Sequence, residues 1–293
     1  MTVRTLKLTI AYDGTDFSGW QVQAAGRDRP AQRTIQGTIE AALFQILRER
    51  VHVRGSGRTD AGVHALAQVA HTCIRSEIPL ENLQRGLNAL LRPSIVITDL
   101  VEAPPGFHAQ YRAIRKRYRY RIVNAPFVSP FEHRYAQCIM VPLKAAVMKR
   151  EVRVLRGRHD FAPFQKVGSV VVKDATRTIS DVRLTKRAGG YLDFEIEANG
   201  FLYGMVRRIV GTLIQVGQGY KPPGTIARIL RTKNSSLVGP TAPARGLCLV
   251  RVTYQAPRKS WRKNVMGGSS TKESGETGKT RPSTIRPMSS KLP

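Results

Sequence analysis

Two hydrophobic periods follow one another along this chain in the same order twice, and that order limits the folds open to it. Residues 5–12, TLKLTIAY, alternate apolar and polar as a half-buried strand does. Ile35, Ile39, Ala42, Leu43, Ile46 and Leu47 then fall on one face of a 3.6-residue helix, with Thr34 placed as its N-cap. Strand-like segments follow over 50–58 and 65–74. Next comes PLENLQRGLNALL from Pro79, whose Leu83, Leu87 and Leu90 share a helical face, and SIVITDLVEA closes the series as a strand. Strand, helix, strand, strand, helix, strand is the order of a split βαβ, ferredoxin-like unit.

The second half runs through the same order without evident sequence similarity. A strand is predicted over 115–123, then a helix over 143–155 with Gly157 near its C-terminal end. Strands over 176–186 and 191–198 are joined through Gly189-Gly190, a hairpin signal. Helical segments over 201–216 and 225–233 flank GQGYKPPG, and GLCLVRVTY forms the last strand. The chain is therefore expected to be α+β, with two ferredoxin-like halves over 1–110 and 111–254. The halves are expected to share one continuous, mainly antiparallel sheet flanked by helices. Residues 255–293 are rich in Gly, Ser, Thr, Pro and Lys and almost devoid of large apolar side chains, so they are expected to be a disordered basic tail.

Charge narrows the partner. The 293 residues hold 48 Lys and Arg against 20 Asp and Glu, a formal net charge of +28. A surface this positive seeks a polyanion. The tail's nine cations and two acids supply +7 of that total, leaving +21 for the folded part. A hydrophobic fraction of 41% excludes a wholly disordered basic protein. Cys73, Cys138 and Cys248 lie far apart, with neither a disulfide framework nor a CxxC knuckle. No apolar run approaches the ~18 residues of a membrane span, and no apolar signal core follows MTVRT, so a soluble, cytoplasmic protein is expected.

The segment GSGRTDAGVHALAQVAH over 55–71 is the most unusual stretch. Its glycines permit tight backbone geometry around one cation, Arg58, and one carboxylate, Asp60. Three readings stand beside one another. Asp60 could stabilise its own turn, and a Gly-rich loop could cradle phosphate, although neither Walker spacing nor GxGxxG occurs. Alternatively, a carboxylate beside a cation at a strand end suits a nucleophile, because the cation favours the charged form. On the strand RKRYRYRI, Tyr118, Tyr120 and Ile122 share one face, and Arg117, Arg119 and Arg121 share the other. An arginine ladder opposite an aromatic face suits an RNA-modifying sheet. A half-buried strand with a solvated charged face is the alternative, preferred for Tyr120 and Ile122. His52, His64 and His71 lie near Cys73 without zinc-site spacing, so no metal site is expected.

GRTDAGVHA followed by LAQVAH closely resembles the block around the catalytic aspartate of the TruA family of tRNA pseudouridine synthases. AYDGTDFSGWQVQ, TIQGTIEAAL, GFHAQYRAIRKRYRYRI, HDFAPF, TRTI, NGFLYGMVRRIVGTL and APARGLCL resemble further blocks of that family in the same order, from about Lys7 to Tyr254. The resemblance implies a pseudouridine synthase fold and isomerisation of uridines at positions 38–40 of the tRNA anticodon stem-loop. It places Asp60 as the catalytic carboxylate and Arg58 as the motif's adjacent arginine. Tyr118 matches the active-site tyrosine. Arg207 matches the arginine that pairs with the carboxylate, chosen over Arg208 by motif alignment alone. Leu247 matches an aliphatic contact to the target base, with core packing as the alternative. Phe107, His108, Ala109, Gln110, Tyr111 and Arg177 fall in blocks expected to contact RNA. Isomerisation adds and removes nothing overall, so no cofactor is expected. The partners implied are tRNA and a second copy of the chain, with no membrane.

Overall fold

The computed structural model describes residues 2–23, 32–166, 168 and 172–255. The expected disorder of the tail concerns residues outside this set. In chain order the elements of the first half are β1 (Arg4–Tyr12), α1 (Ile35–Leu47), β2 (Arg54–Gly55), β3 (His64–Ile74), α2 (Leu80–Leu91) and β4 (Ile95–Glu102). The second half holds β5 (Ala113–Val123), β6 (Gln137–Cys138), α3 (Ala145–Val154), β7 (Gly157–Asp160), β8 (Thr176–Lys186), β9 (Tyr191–Ala198), α4 (Met205–Gln218), α5 (Thr225–Thr232) and β10 (Leu247–Tyr254).

These strands form one sheet in the order β4-β1-β3-β10-β5-β9-β8-β7, with β2 also on β3 and β6 also on β5. The path β4-β1-β3 with β2, and the path β10-β5-β9-β8, are the same ferredoxin-like arrangement repeated. The halves join where β10 runs parallel to β3, pairing Cys248 with His64 and Leu249 with Ala65. The ladders of β1 with β3 and β4, and of β5 with β9 and β10, are antiparallel.

Local chemistry accounts for most boundaries. Thr34 caps α1 by accepting the Gly37 N–H at 3.2 Å. Leu6, Leu8 and Ile10 of β1 are fully buried in one core with Ile35, Ile39 and Leu43 of α1 and Leu83 and Leu87 of α2. Gly189 and Gly190 both adopt positive φ, which carries the chain from β8 into β9.

Three expectations need correction. The strand expected over 50–58 is paired only at Arg54 and Gly55, because the buried Gln68 side chain takes the Gly57 carbonyl in place of a ladder bond. No strand was expected after α3, yet Gly157, just past the helix end at Val154, opens β7 at a φ of 108°. The helix expected from 201 starts at Met205, after Gly204 at positive φ, and Phe201 to Tyr203 stay outside it.

The arginines of β5 are also committed differently from an exposed ladder. Arg117, Arg119 and Arg121 stand in register opposite Glu197, Glu195 and Asp193 of β9. Arg117 pairs with Glu197 and Asp181 at 3.0 Å each, and Arg121 with Asp193 at 2.9 Å. Burial raises the pKa of Glu197, but hydrogen bonds from Arg117 and Arg251 outweigh it and hold the carboxyl below its usual range. Most of this charge is therefore neutralised within the sheet and not presented to a polyanion. Among the described residues Arg119 alone of the three has no ion pair.

Candidate active site

The outer edge of β3 is divided between two partners. β2 takes Ala70 and His71, β10 takes His64 and Ala65, and the loop over 56–63 occupies the fork between them. Both ends and the middle of that loop are tied down. The Ser56 N–H donates to the Val69 carbonyl at 2.7 Å, and the Ser56 hydroxyl donates to Gln68 Oε1 at 2.7 Å. Gln68 in turn donates Nε2–H to the Gly57 carbonyl at 3.0 Å. The Tyr12 and Thr59 hydroxyls share a hydrogen bond of 2.9 Å, and the Trp20 N–H donates to the Thr59 carbonyl at 3.1 Å. Gly62, at a φ of 76° that suits glycine, completes the turn by donating its N–H to the Phe17 carbonyl. With both neighbours of the turn fixed, the Asp60 side chain has few directions left.

Arg207 comes to Asp60 from the other half. Its Nη1–H donates to Asp60 Oδ2 at 2.7 Å, the length of a charge-assisted bond. Its Nε–H donates to the Ala242 carbonyl at 2.7 Å, while the Ala242 N–H returns to the Arg207 carbonyl. The segment before β10 thus holds the guanidinium's stem as Asp60 holds its tip. The two side chains are only 14% and 16% exposed, so the pair is shielded from much of the solvent screening that weakens surface ion pairs. Arg208 points elsewhere, donating to the Gln165 carbonyl from a buried position. Arg58 is exposed and has no ion pair with Asp60 or any other described residue. The cation that meets the carboxylate is therefore Arg207 of the other half and not Asp60's neighbour in sequence, Arg58.

Asp60 and Arg207 open onto a cavity of about 760 Å³. Tyr118 forms part of its wall, packed edge-on against Phe201 at 5.1 Å, and Leu247 forms another part. Burial, reinforced by the neighbouring Tyr12 and Asp60, pushes the Tyr118 phenol well above its usual range, so this ring stays neutral. Among the described lining residues Asp60 is the one carboxylate, beside the cations Arg54, Arg58, Lys116 and Arg207.

Lys116 is a residue that the sequence reading passed over. It is half-buried and donates to the Ser56 carbonyl at the root of the Asp60 loop, and burial pulls its ammonium down to about 8. The signal was present in the alternation: Lys116 stands two residues before Tyr118 and so on the same strand face.

The residues expected to contact RNA divide. His108, Gln110 and Tyr111 line the cavity. Phe107 and Ala109 instead hold the fold together. Phe107 packs on Tyr254 at 5.4 Å, and the buried Ala109 donates its N–H to His71 and accepts the Tyr254 hydroxyl. Arg177 donates from its guanidinium to the carbonyls of Asp174 and Thr176 and is not among the residues that line the cavity.

A carboxylate clamped by a cation, set in a cationic cavity with a neutral aromatic wall, suits chemistry on a nucleotide. Comparison with known proteins agrees with that chemistry. The family model for tRNA pseudouridine synthase matches residues 8–112 and 152–255. The chain is 43% identical over 252 residues to the tRNA pseudouridine synthase A of Brevibacillus brevis, covering 86% of this chain and 100% of that protein. It is 41% identical over 249 residues to that of Moorella thermoacetica, covering 85% and 99%. Asp60 of the first half and Arg207 of the second both lie within the matched residues, with β5 and its Tyr118 between the two matched segments, and the chain belongs to the tRNA pseudouridine synthase family, a family of isomerases.

Proposed function

We propose that the chain isomerises uridine to pseudouridine in the anticodon stem-loop of tRNA, with Asp60 as the catalytic carboxylate. The observation that carries this reading is the Arg207–Asp60 pair in a cavity whose other charged lining residues are cations. The reaction breaks the bond from uracil N1 to ribose C1′, turns the freed base and joins its C5 to C1′. Nothing is oxidised, added or lost. Asp60 acts on the bound nucleotide by attack at C1′, by attack at uracil C6, or by taking a ribose proton. Each route needs a charged oxygen aimed into the cavity, and Arg207 supplies a fixed counter-charge for it. Tyr118, held neutral, and Leu247 flank the base while it is detached and keep water from it. A uridine within the stem must first leave its stack, at a cost of a few kcal/mol, and contacts from Arg54, Arg58 and Lys116 to the RNA backbone offset that cost.

The reading extends to the whole molecule. Residues 1–110 and 111–254 act as the two walls of the RNA-binding cleft, and the basic residues over 255–293 add sequence-independent attraction to tRNA. A second copy of the chain is the expected partner. Phe127, Phe131 and Met140, 79%, 91% and 74% exposed, offer apolar surface for it on the segment between β5 and α3. The protein works in the cytoplasm, with tRNA.

The test is to treat unmodified tRNA with the purified protein and map pseudouridine. Pseudouridine confined to the anticodon arm is the expected result. Binding without conversion would leave an RNA-binding protein and overturn the assignment, and sedimentation as a monomer at micromolar concentration would remove the second copy.

A further inference from the structure

A column of rings runs from the core to the rim of the cavity and ends on an open aromatic face. Phe107 packs against Tyr254 at 5.4 Å and meets the edge of His71 at 6.1 Å. His71 lies 4.5 Å from His108, and His108 stacks on Tyr111 at 4.1 Å with their planes 22° apart. The backbone fixes the two imidazoles in this column. His71 Nδ1 accepts the Ala109 N–H at 3.2 Å, and His108 Nδ1 accepts those of Gln110 and Tyr111 at 3.2 and 3.3 Å. With Nδ1 an acceptor, each ring carries its proton on Nε2 in the neutral form. Burial holds both below the ordinary histidine range, helped at His71 by His108 and at His108 by Arg54.

The outermost member, Tyr111, is 79% exposed although one of its faces is covered by His108. A large ring left in water on a rigid backing has already given up much of the conformational freedom that binding would otherwise cost. Its surroundings select the ligand. Arg54, Arg58 and Lys116 line the same cavity, which suits phosphates and disfavours an apolar protein partner.

We propose that Tyr111 is a stacking subsite for an unpaired nucleobase next to the target uridine. This rests on the reading of the cavity as the tRNA site and adds a second base-binding position to it. Because every base offers a π face, such a platform tolerates any sequence beside the target and grips the strand without reading it.

The test uses the full-length protein and an anticodon stem-loop carrying 2-aminopurine in turn at each nucleotide flanking the target. Wild-type protein is expected to quench the probe at one flanking position. Tyr111→Ala is expected to abolish the quench and weaken binding by about 5- to 150-fold, the range measured for losing one base–aromatic stack. KM should rise while kcat at saturating RNA stays near wild type. Tyr111→Phe and Tyr111→Trp should restore both quench and affinity, which a role for the hydroxyl or for loop structure would not allow. Unchanged quench and affinity in Tyr111→Ala, or equal losses in Tyr111→Phe, would overturn the proposal. Absence of pseudouridine with wild-type protein would instead overturn the reading of the enzyme, and the binding readout would still judge the platform.

Discussion

Arg207 donates a hydrogen bond of 2.7 Å to Asp60 across 147 residues of sequence, and its own stem is anchored to the Ala242 carbonyl. Two contacts on one planar fork aim the charge as well as supplying it. Asp60→Asn and Asp60→Ala are therefore expected to abolish pseudouridine formation while leaving tRNA binding largely intact. Arg207→Lys keeps the charge but cannot span both partners, and kcat should fall by about 10²- to 10³-fold. Single-turnover kinetics on unmodified tRNA would measure both, and wild-type rates in Arg207→Lys would remove the aiming role.

Lys116 is expected to give the reaction an alkaline limb. Burial lowers its pKa to about 8, so its cation, present at neutral pH, is lost as pH rises through that value. If the cation helps to hold RNA at the root of the Asp60 loop, kcat/KM of the wild type should decline above pH 8. Lys116→Arg should keep its charge and show a flat profile there. A limb of the same midpoint in both proteins would assign it to another group.

Gln68 is fully buried and bonds Ser56, Gly57 and Val69 at once. Gln68→Leu leaves these groups without their partner at a cost of about 1–3 kcal/mol for each buried group left unpaired. Urea unfolding should show that loss, and kcat should fall more than KM rises because the loop carrying Asp60 loosens. Ser56→Ala should be milder, since Gln68 keeps its other two bonds.

The carboxylate pairing behind β5 predicts a pH-dependent stability. Glu197 has a folded-state pKa below its unfolded value, so its contribution is full above the unfolded value and disappears as pH falls through the folded one. Glu197→Gln should lower stability by about 1.5–3 kcal/mol at neutral pH. The gap from wild type should close as the melt is repeated at progressively lower pH below 4.5. A constant gap across that range would show that ion pairing is not its origin.

Much of this was legible because it is local. Thr34 as a cap, the stripe from Ile35 to Leu47 and the turn at Gly189-Gly190 depend on neighbours within a few residues, and each stands where its pattern put it. The choice between Arg207 and Arg208 could not be made that way. Both lie on one turn of α4, and only the approach of the other half separates them, so the family motif had to decide. β6 and β7 were missed, and β2 was drawn too long, because a strand of two to four residues has too few alternations to show a period. The acids of β9 were legible but unused: DFEIE places Asp193, Glu195 and Glu197 on one face, the natural complement of the arginines on β5.

β10 is the last described strand, yet it lies near the middle of the sheet, between β3 and β5. During synthesis the chain therefore carries two half-sheets with open inner edges until residues 247–254 have left the ribosome. At about 5–20 residues per second, Asp60 waits roughly 7–30 s for Arg207 to be made. The nascent protein passes through that interval with its cationic cleft unassembled. The seam between the two halves can be complete only once that last strand is in place.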